Sequence, residues 1–248
     1  MTASGAFGAA LLLDFDGTLA PIAPNPDAVR VADELPGLLV DLRDRLGGAL
    51  AIVTGRPIAD IDRFLPGLAL DVCGLHGLDR RVGGRHVSPA LPSLAAEVAE
   101  LRAALASCPG TLVEDKGVGV AVHWRQAPAC EAEARRAIDR VAERLGTAYR
   151  LQEGKAVREI VPAEAGKGKA AAHLSTLPPY AGRPAVFVGD DVTDEAAFRS
   201  VQEAGGLGVK IGTGETAARL RLASPADLQV RLAAWRHDGA GPQGWPSA

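Results

Sequence analysis

The feature that most constrains the fold is a set of short apolar runs that each end in polar residues. These runs are "LLLDFDGTLA" (11–20), "ALAIVTGR" (49–56) and "RPAVFVGDD" (183–191). Runs of this length predict strands buried on both faces, here at residues 9–15, 49–56 and 183–191, with further strands at 69–73 and 205–212. Leucines at helical spacing predict a helix over 33–47 between the first two strands. Strands that alternate with helices predict an α/β fold built on a Rossmann-like, doubly wound parallel sheet.

The middle of the chain has a different pattern. A Gly83-Gly84 turn predicts a hairpin, and helices are predicted over 93–106 and 129–145. Alternating apolar and polar residues predict strand pairs over 111–125 and 149–162. We therefore expect an α+β cap at residues 79–162, inserted between a first core segment (1–78) and a second (163–236). Residues 237–248 have no periodicity and are predicted to be a flexible tail.

Composition excludes several classes of partner. The 248 residues carry a net charge of −3, which gives no reason to expect nucleic acid or an acidic membrane surface. The N-terminal segment has the features of neither a signal peptide nor a membrane span. Three widely spaced cysteines without a C-x-x-C pair make a disulfide framework or a zinc site improbable. We expect a cytoplasmic protein that acts on a small molecule.

Several polar side chains follow the predicted parallel strands. Ligands bind beyond the carboxyl ends of such strands, where Asp14, Asp16, Thr54, Asp190 and Asp194 would meet. Two carboxylates about 4 Å apart repel by about 4 kcal/mol at an effective dielectric of about 20, so this group needs a cation or must take up a proton. Because the candidate ligands are all oxygens, Mg²⁺ is the predicted cofactor. One member of the acidic segment, most simply Asp191, would serve only as a helix cap.

This arrangement predicts phosphoryl transfer. Asp14 is placed to be a nucleophile, and Asp16 to protonate the leaving oxygen and then to activate water. Thr54 would donate to a phosphoryl oxygen. A lysine should balance the charge, and Lys167 and Lys169 are the two candidates. Only one of them can face the site, since residues two apart on a helix point in different directions.

The motifs carry a family resemblance. "DFDGTL", "VTGR", a lysine at a helix start and "GDDVTDE" resemble the haloacid dehalogenase superfamily, and the insertion resembles its C2-type cap. More narrowly, "GLHG", "VEDKGVGVAVHWR", "REIVP" and "GDDVTDEAAF" resemble the trehalose-6-phosphate phosphatase family. The resemblance spans residues 9 to about 212.

The resemblance implies roles for individual residues. Asp14, Asp190 and the backbone carbonyl of Asp16 would hold Mg²⁺ with support from Asp194, and Lys167 would bridge the nucleophile and the phosphate. Asp14, Asp16, Thr54 and Lys167 would be the catalytic residues. The expected substrate-binding residues are Phe15, Gly55, Arg56, His76, Glu114, Lys116, His123, Arg125 and Glu159. His76 alone would more simply be part of a tight turn between glycines.

The expected function is hydrolysis of trehalose 6-phosphate through an aspartyl phosphate, with a trehalose-6-phosphate synthase as a possible partner. A phosphatase of sucrose 6-phosphate or mannosyl-3-phosphoglycerate remains an alternative, because only cap residues would discriminate among these sugars. A catalytically inactive sugar-phosphate-binding protein is a further alternative. A phospho-accepting signalling domain is disfavoured, since such domains need no cap and place the acceptor aspartate after the acidic pair.

Overall fold

The computed structural model describes residues 8–23, 26–88, 90–239, 241 and 242. Its strands are β1 (Ala10–Leu13), β2 (Leu50–Val53), β3 (Asp71–Gly74), β4 (Asp79–Val82), β5 (Arg85–Val87), β6 (Leu112–Asp115), β7 (Val120–His123), β8 (Tyr149–Gly154), β9 (Val157–Pro162), β10 (Ala185–Gly189), β11 (Leu207–Ile211) and β12 (Leu220–Leu222). Its α-helices are α1 (Leu35–Arg45), α2 (Ile58–Phe64), α3 (Ala95–Ala104), α4 (Glu131–Leu145), α5 (Lys167–Leu174), α6 (Glu195–Glu203) and α7 (Pro225–Asp238). Two compact units result: a core unit formed before residue 88 and after residue 165, and an inserted unit of residues 88–165.

The core unit is built on an eight-stranded sheet in the order β12-β11-β10-β1-β2-β3-β4-β5. All pairings from β12 to β3 are parallel, and the last two are antiparallel. Every residue of β1 and β2 is buried, as the unbroken apolar runs in the sequence predict. Helix α5 packs against α6, and α1 packs against α7. The predicted α/β fold with a parallel core sheet is confirmed.

The hairpin β4–β5 lies in the core sheet, whereas the sequence interpretation assigned it to the cap from residue 79. A short 3₁₀ turn at Leu75–Gly77 reverses the chain after β3, and His76 there has a left-handed backbone with φ of 54°. Strand β4 can then pair antiparallel with β3, with Cys73 opposite Arg80. A hairpin pattern predicts two paired strands but not the sheet they extend, and this explains the difference.

The inserted unit contains an antiparallel sheet in the order β6-β7-β9-β8. Its apolar cluster includes Val113, Val120, Val122 and Ile160 from the sheet and Ile138 from α4. Because side chains alternate along a strand, the neighbouring positions on these strands face away from that cluster. This second face carries Glu114, His123 and Glu159 and is called the charged face.

Two elements near the C-terminus were not predicted, β12 and α7. Helix α7 has a readable start signal, since the Ser224 hydroxyl accepts a hydrogen bond from the Asp227 amide and Pro225 stands in the first turn. The helix runs to residue 238, so it includes the first two residues of the predicted flexible tail. Residues 240 and 243–248 of that tail lie outside the described residues.

Among the described helices, none combines the length and the apolar character that a membrane crossing requires.

Candidate active site

Three carboxylates lie together at the carboxyl ends of two adjacent strands. Asp14 follows β1 and Asp190 follows β10, and these strands pair in register with Leu13 beside Val188. The Asp14 amide extends this ladder by donating to the Val188 carbonyl at 2.9 Å. Asp194 lies in the 3₁₀ turn that follows Asp190. Within the described part of the chain, one carboxylate oxygen from each of the three residues lies within 4.8 Å of the others, and all three residues are buried.

Lys167 is the cation in contact with this cluster. It is the first residue of α5, and its Nζ lies 2.7 Å from Asp14 Oδ1 and 2.7 Å from Asp194 Oδ1. Only 4% of the Lys167 side chain is exposed. Lys169 is exposed, because two residues along the helix turn its side chain away from the cluster. Of the two candidate lysines, the structure brings Lys167 to the carboxylates.

The electrostatics of the site are unbalanced. Burial raises the pKa of Asp14 well above its usual value; Lys167 opposes this shift, while Asp194 and Asp190 add to it. Burial would lower the pKa of Lys167, but Asp14 and Asp194 outweigh it and raise that pKa. Three ionised carboxylates around one ammonium leave negative charge in a buried place, where charge without a partner is costly.

The donor set and the backbone around it fit a hard divalent cation. The ligand atoms are all carboxylate oxygens, which Mg²⁺ prefers. Gly17 has φ of +79°, and a Cβ there would lie 2.2 Å from Asp190 Oδ2. Only a residue without a side chain lets the backbone after β1 come this close to the Asp190 carboxylate.

Asp191 and Asp194 stand at the start and the end of the 3₁₀ turn, and each side chain caps the backbone amide of the other. The Asp191 amide donates to Asp194 Oδ2 at 2.9 Å, and the Asp191 side chain accepts from the Asp194 amide in return. This reciprocal capping leaves Asp194 Oδ1 directed at Lys167. Asp191 therefore has the capping role that its sequence context suggested.

Two threonines lie at the same edge of the sheet. Thr54 follows β2, the strand that pairs with β1 on the side away from β10, and its side chain is buried. Its hydroxyl accepts from the Arg56 amide at 3.2 Å. The Thr18 hydroxyl lies 3.5 Å from Asp14 Oδ2. The two hydroxyls thus stand among the groups that follow neighbouring parallel strands.

Asp16 is held by Arg56. The Arg56 Nε lies 2.6 Å from Asp16 Oδ2, and Nη2 lies 2.8 Å from Asp16 Oδ1, which makes a bidentate pair. The guanidinium also lies over the ring of Phe64, 5.0 Å from its centroid. Arg56 is buried, whereas the Asp16 side chain is 38% exposed. Arg56 was predicted to bind substrate, and in this structure it orients Asp16.

The remaining predicted substrate-binding residues of the core unit are Phe15, Gly55 and His76. The Phe15 side chain is fully buried and stacks on Phe64, so any ligand contact would come from its backbone. His76 is buried, and its amide donates to the Thr54 carbonyl at 2.9 Å. A Cβ on Gly55 would lie 2.7 Å from the His76 ring, so this glycine permits the close packing of the two segments.

Five residues of the inserted unit were predicted to bind substrate, and four of them lie on one face of its sheet. The pairing register aligns Glu114 with Ala121 and Ala121 with Glu159. His123 Nε2 lies 2.7 Å from Glu114 Oε2, and Lys116 Nζ lies 2.7 Å from Glu159 Oε1. Burial would raise the pKa of Glu114, but Lys116 and His123 together lower it.

Arg125, the fifth predicted residue of this unit, makes a different contact. It is exposed, and its Nη2 donates to the Lys155 carbonyl at 2.8 Å. The guanidinium therefore braces the β8–β9 turn in this structure.

Two further polar residues, Arg150 and Gln152, lie on the charged face and were not predicted from the sequence. Gln152 pairs in register with Glu159, and Arg150 Nη2 donates to Gln152 Oε1 at 2.9 Å. The alternation of Arg150, Leu151 and Gln152 along β8 was a readable signal for two polar residues on one face. Lys210, buried in the core unit, was also given no role, although a lysine within an apolar strand is an uncommon feature.

Comparison with known proteins gives a consistent result. Residues 12–226 match the trehalose-phosphatase family. A probable trehalose-phosphate phosphatase of Sinorhizobium fredii is 46% identical over 205 residues, which covers 82% of this chain and 77% of that protein. The trehalose-6-phosphate phosphatase of Escherichia coli is 38% identical over 222 residues, covering 88% of this chain and 83% of that protein.

Solved structures agree with these matches. A trehalose-6-phosphate phosphatase related protein is 28% identical, with a TM-score of 0.76 over 92% of this chain and 97% of that one. A phosphatase of the haloalkanoate (HAD) superfamily from Bacteroides thetaiotaomicron shares the fold, with a TM-score of 0.62 at 14% identity over 97% of this chain and 98% of that one.

Proposed function

The chain belongs to the trehalose-phosphatase family, and on that premise we propose that it hydrolyses trehalose 6-phosphate to trehalose and inorganic phosphate. One observation carries the proposal. Buried Lys167 bridges buried Asp14 and Asp194 beside Asp190, at the edge of a parallel sheet where ligands of such folds bind. This arrangement supports a nucleophile, a cation and metal ligands within one site.

Asp14 is the proposed nucleophile. One carboxylate oxygen attacks the phosphorus atom, a bond forms between that oxygen and phosphorus, and the bond from phosphorus to the sugar oxygen breaks. Lys167 keeps Asp14 oriented through its contact with Oδ1, and it offsets part of the negative charge. Thr54 and Thr18 offer hydroxyl groups that can donate to phosphoryl oxygens.

Asp16 is the proposed general acid and base. It gives a proton to the leaving sugar oxygen, and it then takes a proton from the water that attacks the phosphorus of the aspartyl phosphate. The bidentate contact with Arg56 occupies both carboxylate oxygens of Asp16. Asp16 must therefore leave Arg56 before it can reach the sugar oxygen, so the observed pair represents a resting arrangement.

Mg²⁺ is the proposed cofactor. Asp14, Asp190 and Asp194 would hold it together with the backbone carbonyl of Asp16. When bound, the cation neutralises the carboxylates and the phosphate that would otherwise repel one another. This assignment is supported by the all-oxygen donor set and by the unbalanced charge of the site.

The charged face of the inserted unit is proposed to bind the sugar. Glu114, Lys116, His123 and Glu159 offer paired carboxylate, ammonium and imidazole groups, which suit the hydroxyls of a disaccharide. We retain Arg125 as a sugar-binding candidate, although its present partner is a backbone carbonyl. Gly55, His76 and the Phe15 backbone remain proposed substrate-binding groups of the core unit. Association with a trehalose-6-phosphate synthase stays a prediction.

Phosphate release from a panel of substrates tests the proposal. The panel contains trehalose 6-phosphate, sucrose 6-phosphate, glucose 6-phosphate and mannosyl-3-phosphoglycerate, each with Mg²⁺ and with EDTA. We expect Mg²⁺-dependent turnover concentrated on trehalose 6-phosphate. Turnover concentrated on another member would keep the phosphoryl chemistry and refute the sugar assignment, whereas no turnover on any member would favour a binding protein.

A further inference from the structure

Lys210 is a buried lysine that the proposed reaction does not use. It lies on β11, opposite Gly189 of β10 in the parallel register, and it is 5% exposed. Its Nζ donates to the backbone carbonyl of Asp190 at 2.8 Å. Its Nζ also lies 3.9 Å from Glu195 Oε1.

Glu195 connects this lysine to a second loop. The Glu195 carboxylate accepts from the Thr216 hydroxyl at 2.8 Å and from the Ala217 amide at 2.7 Å. Thr216 and Ala217 belong to the segment after β11. A single buried ammonium and a single carboxylate thus tie together the two loops that follow β10 and β11.

A buried ammonium in an apolar strand is costly unless its charge is compensated. The chain has five lysines beside 22 arginines, so lysine is the uncommon choice of cation here. A lysine offers a compact charge at the end of a flexible stem, which suits one carbonyl and one carboxylate better than a planar guanidinium would.

Asp190 is constrained at its backbone carbonyl and at its side chain. Its carbonyl is held by Lys210, while its carboxylate faces the backbone of Gly17 and the oxygens of Asp14 and Asp194. Fixing the carbonyl restricts rotation of the peptide that follows Asp190, and this limits where the carboxylate can point. The contact therefore orients a residue that is proposed to hold the cation.

We propose that Lys210 is a positioning residue for the divalent-cation site, acting through the Asp190 carbonyl and held in turn by Glu195. This inference rests on the proposed metal site. Groups that orient metal ligands typically change metal affinity by about 10–100-fold when they are removed. We expect Lys210→Met to weaken cation binding by that factor, because its apolar side chain has similar length and no donor.

The test measures Mn²⁺ binding by electron paramagnetic resonance on the full chain without substrate. Wild type, Lys210→Met and Lys210→Gln are compared, with Lys155→Met as the matched control, because Lys155 is an exposed lysine of the inserted unit. We expect a 10–100-fold higher Kd for Lys210→Met and a smaller increase for Lys210→Gln, whose amide can still donate to a carbonyl. The control should stay within about twofold of wild type. If the Met variant does not fold, the Gln variant carries the test.

Thermal unfolding in EDTA separates positioning from a purely structural role. A lower Tm with an unchanged Kd for Mn²⁺ would overturn the inference, since it would mean that Lys210 only stabilises the fold. If wild type itself does not bind Mn²⁺, the proposed metal site fails. If wild type binds Mn²⁺ and both Lys210 variants bind it equally well, this inference alone fails.

Discussion

Replacing Asp14 with asparagine should stabilise the protein when no divalent cation is present. The asparagine amide keeps an oxygen that can accept from Lys167 but carries no charge. Burial disfavours the ionised form of Asp14 and is the largest influence on its pKa. The nearby carboxylates of Asp194 and Asp190 disfavour that form as well. The residue proposed to carry the reaction is therefore one that destabilises the cation-free fold.

The magnitude follows from the distances. At an effective dielectric of about 20, a like charge within 4.8 Å costs about 3.5 kcal/mol, and two such charges cost about 7 kcal/mol. Lys167 at 2.7 Å returns about 6 kcal/mol on the same scale. These contributions nearly cancel, so the burial of the charge decides whether ionised Asp14 stabilises or destabilises the fold. The cost cannot exceed about 5 kcal/mol at pH 7.5, because a carboxyl with an ordinary pKa of 3.8 then takes up a proton instead.

We expect Asp14→Asn to raise the free energy of unfolding by about 1–3 kcal/mol at pH 7.5 in EDTA, within the bound set by protonation. That corresponds to a rise in Tm of about 2–6 °C for a chain of this length. Because the folded-state pKa of Asp14 is raised, its ionisation costs nothing below pH 3.8. The advantage of the variant should therefore be absent near pH 4, grow with pH, and become constant above the folded-state pKa.

Differential scanning fluorimetry across pH, with EDTA and with Mg²⁺, measures this effect. A Mg²⁺ concentration one hundred times Kd stabilises a protein by about 2.7 kcal/mol, and wild type should gain more than the variant because its ligand set is complete. The exposed Asp33→Asn should leave Tm nearly unchanged under all conditions. A lower Tm for Asp14→Asn than for wild type in EDTA at pH 7.5 would refute the electrostatic account of the site.

Three further predictions concern activity. Lys167→Met should lower kcat by about 10²–10³-fold, the range found when one group that stabilises transition-state charge is removed, whereas Lys169→Met should retain wild-type kcat; equal losses would contradict the assignment of Lys167. Asp16→Asn should lower kcat/KM on trehalose 6-phosphate by about 10²–10⁴-fold but lower kcat/KM on p-nitrophenyl phosphate much less, because kcat/KM reports only the steps up to release of the leaving group and p-nitrophenolate needs no proton; parallel losses of kcat/KM on both substrates would argue against an acid role. Glu114→Gln should raise KM for trehalose 6-phosphate by about tenfold, the cost of roughly one hydrogen bond to a charged group, and leave p-nitrophenyl phosphate hydrolysis unchanged; an unchanged KM would remove Glu114 from the sugar site.

The sequence was most informative where a physical constraint is local. Short apolar strands such as β1 and β10 can be predicted from the sequence because they are buried along nearly their whole length, and parallel pairing then brings Asp14 and Asp190 to one edge of the sheet. The cluster of carboxylates could be predicted for that reason. Residue spacing alone could not decide between Lys167 and Lys169, because that choice depends on the rotation of α5 about its axis, and only the family resemblance favoured Lys167.

Contacts between distant segments were not readable from the sequence. Asp16 and Arg56 are 40 residues apart, and nothing in either segment indicates that they form a bidentate pair. The same applies to Lys210 and the Asp190 carbonyl, 20 residues apart, since no sequence pattern marks a bond from a side chain to a backbone atom. Such pairs are decided by tertiary packing.

The central claim is that the phosphoryl group passes to Asp14, and acid quenching of a reaction with ³²P-labelled trehalose 6-phosphate tests it most directly. We expect label on wild-type protein within the first turnover, released by hydroxylamine as expected for an acyl phosphate, mapped to the peptide that contains Asp14, and absent from Asp14→Asn. Full turnover in wild type without protein-bound label, or with label on another residue, would contradict the account.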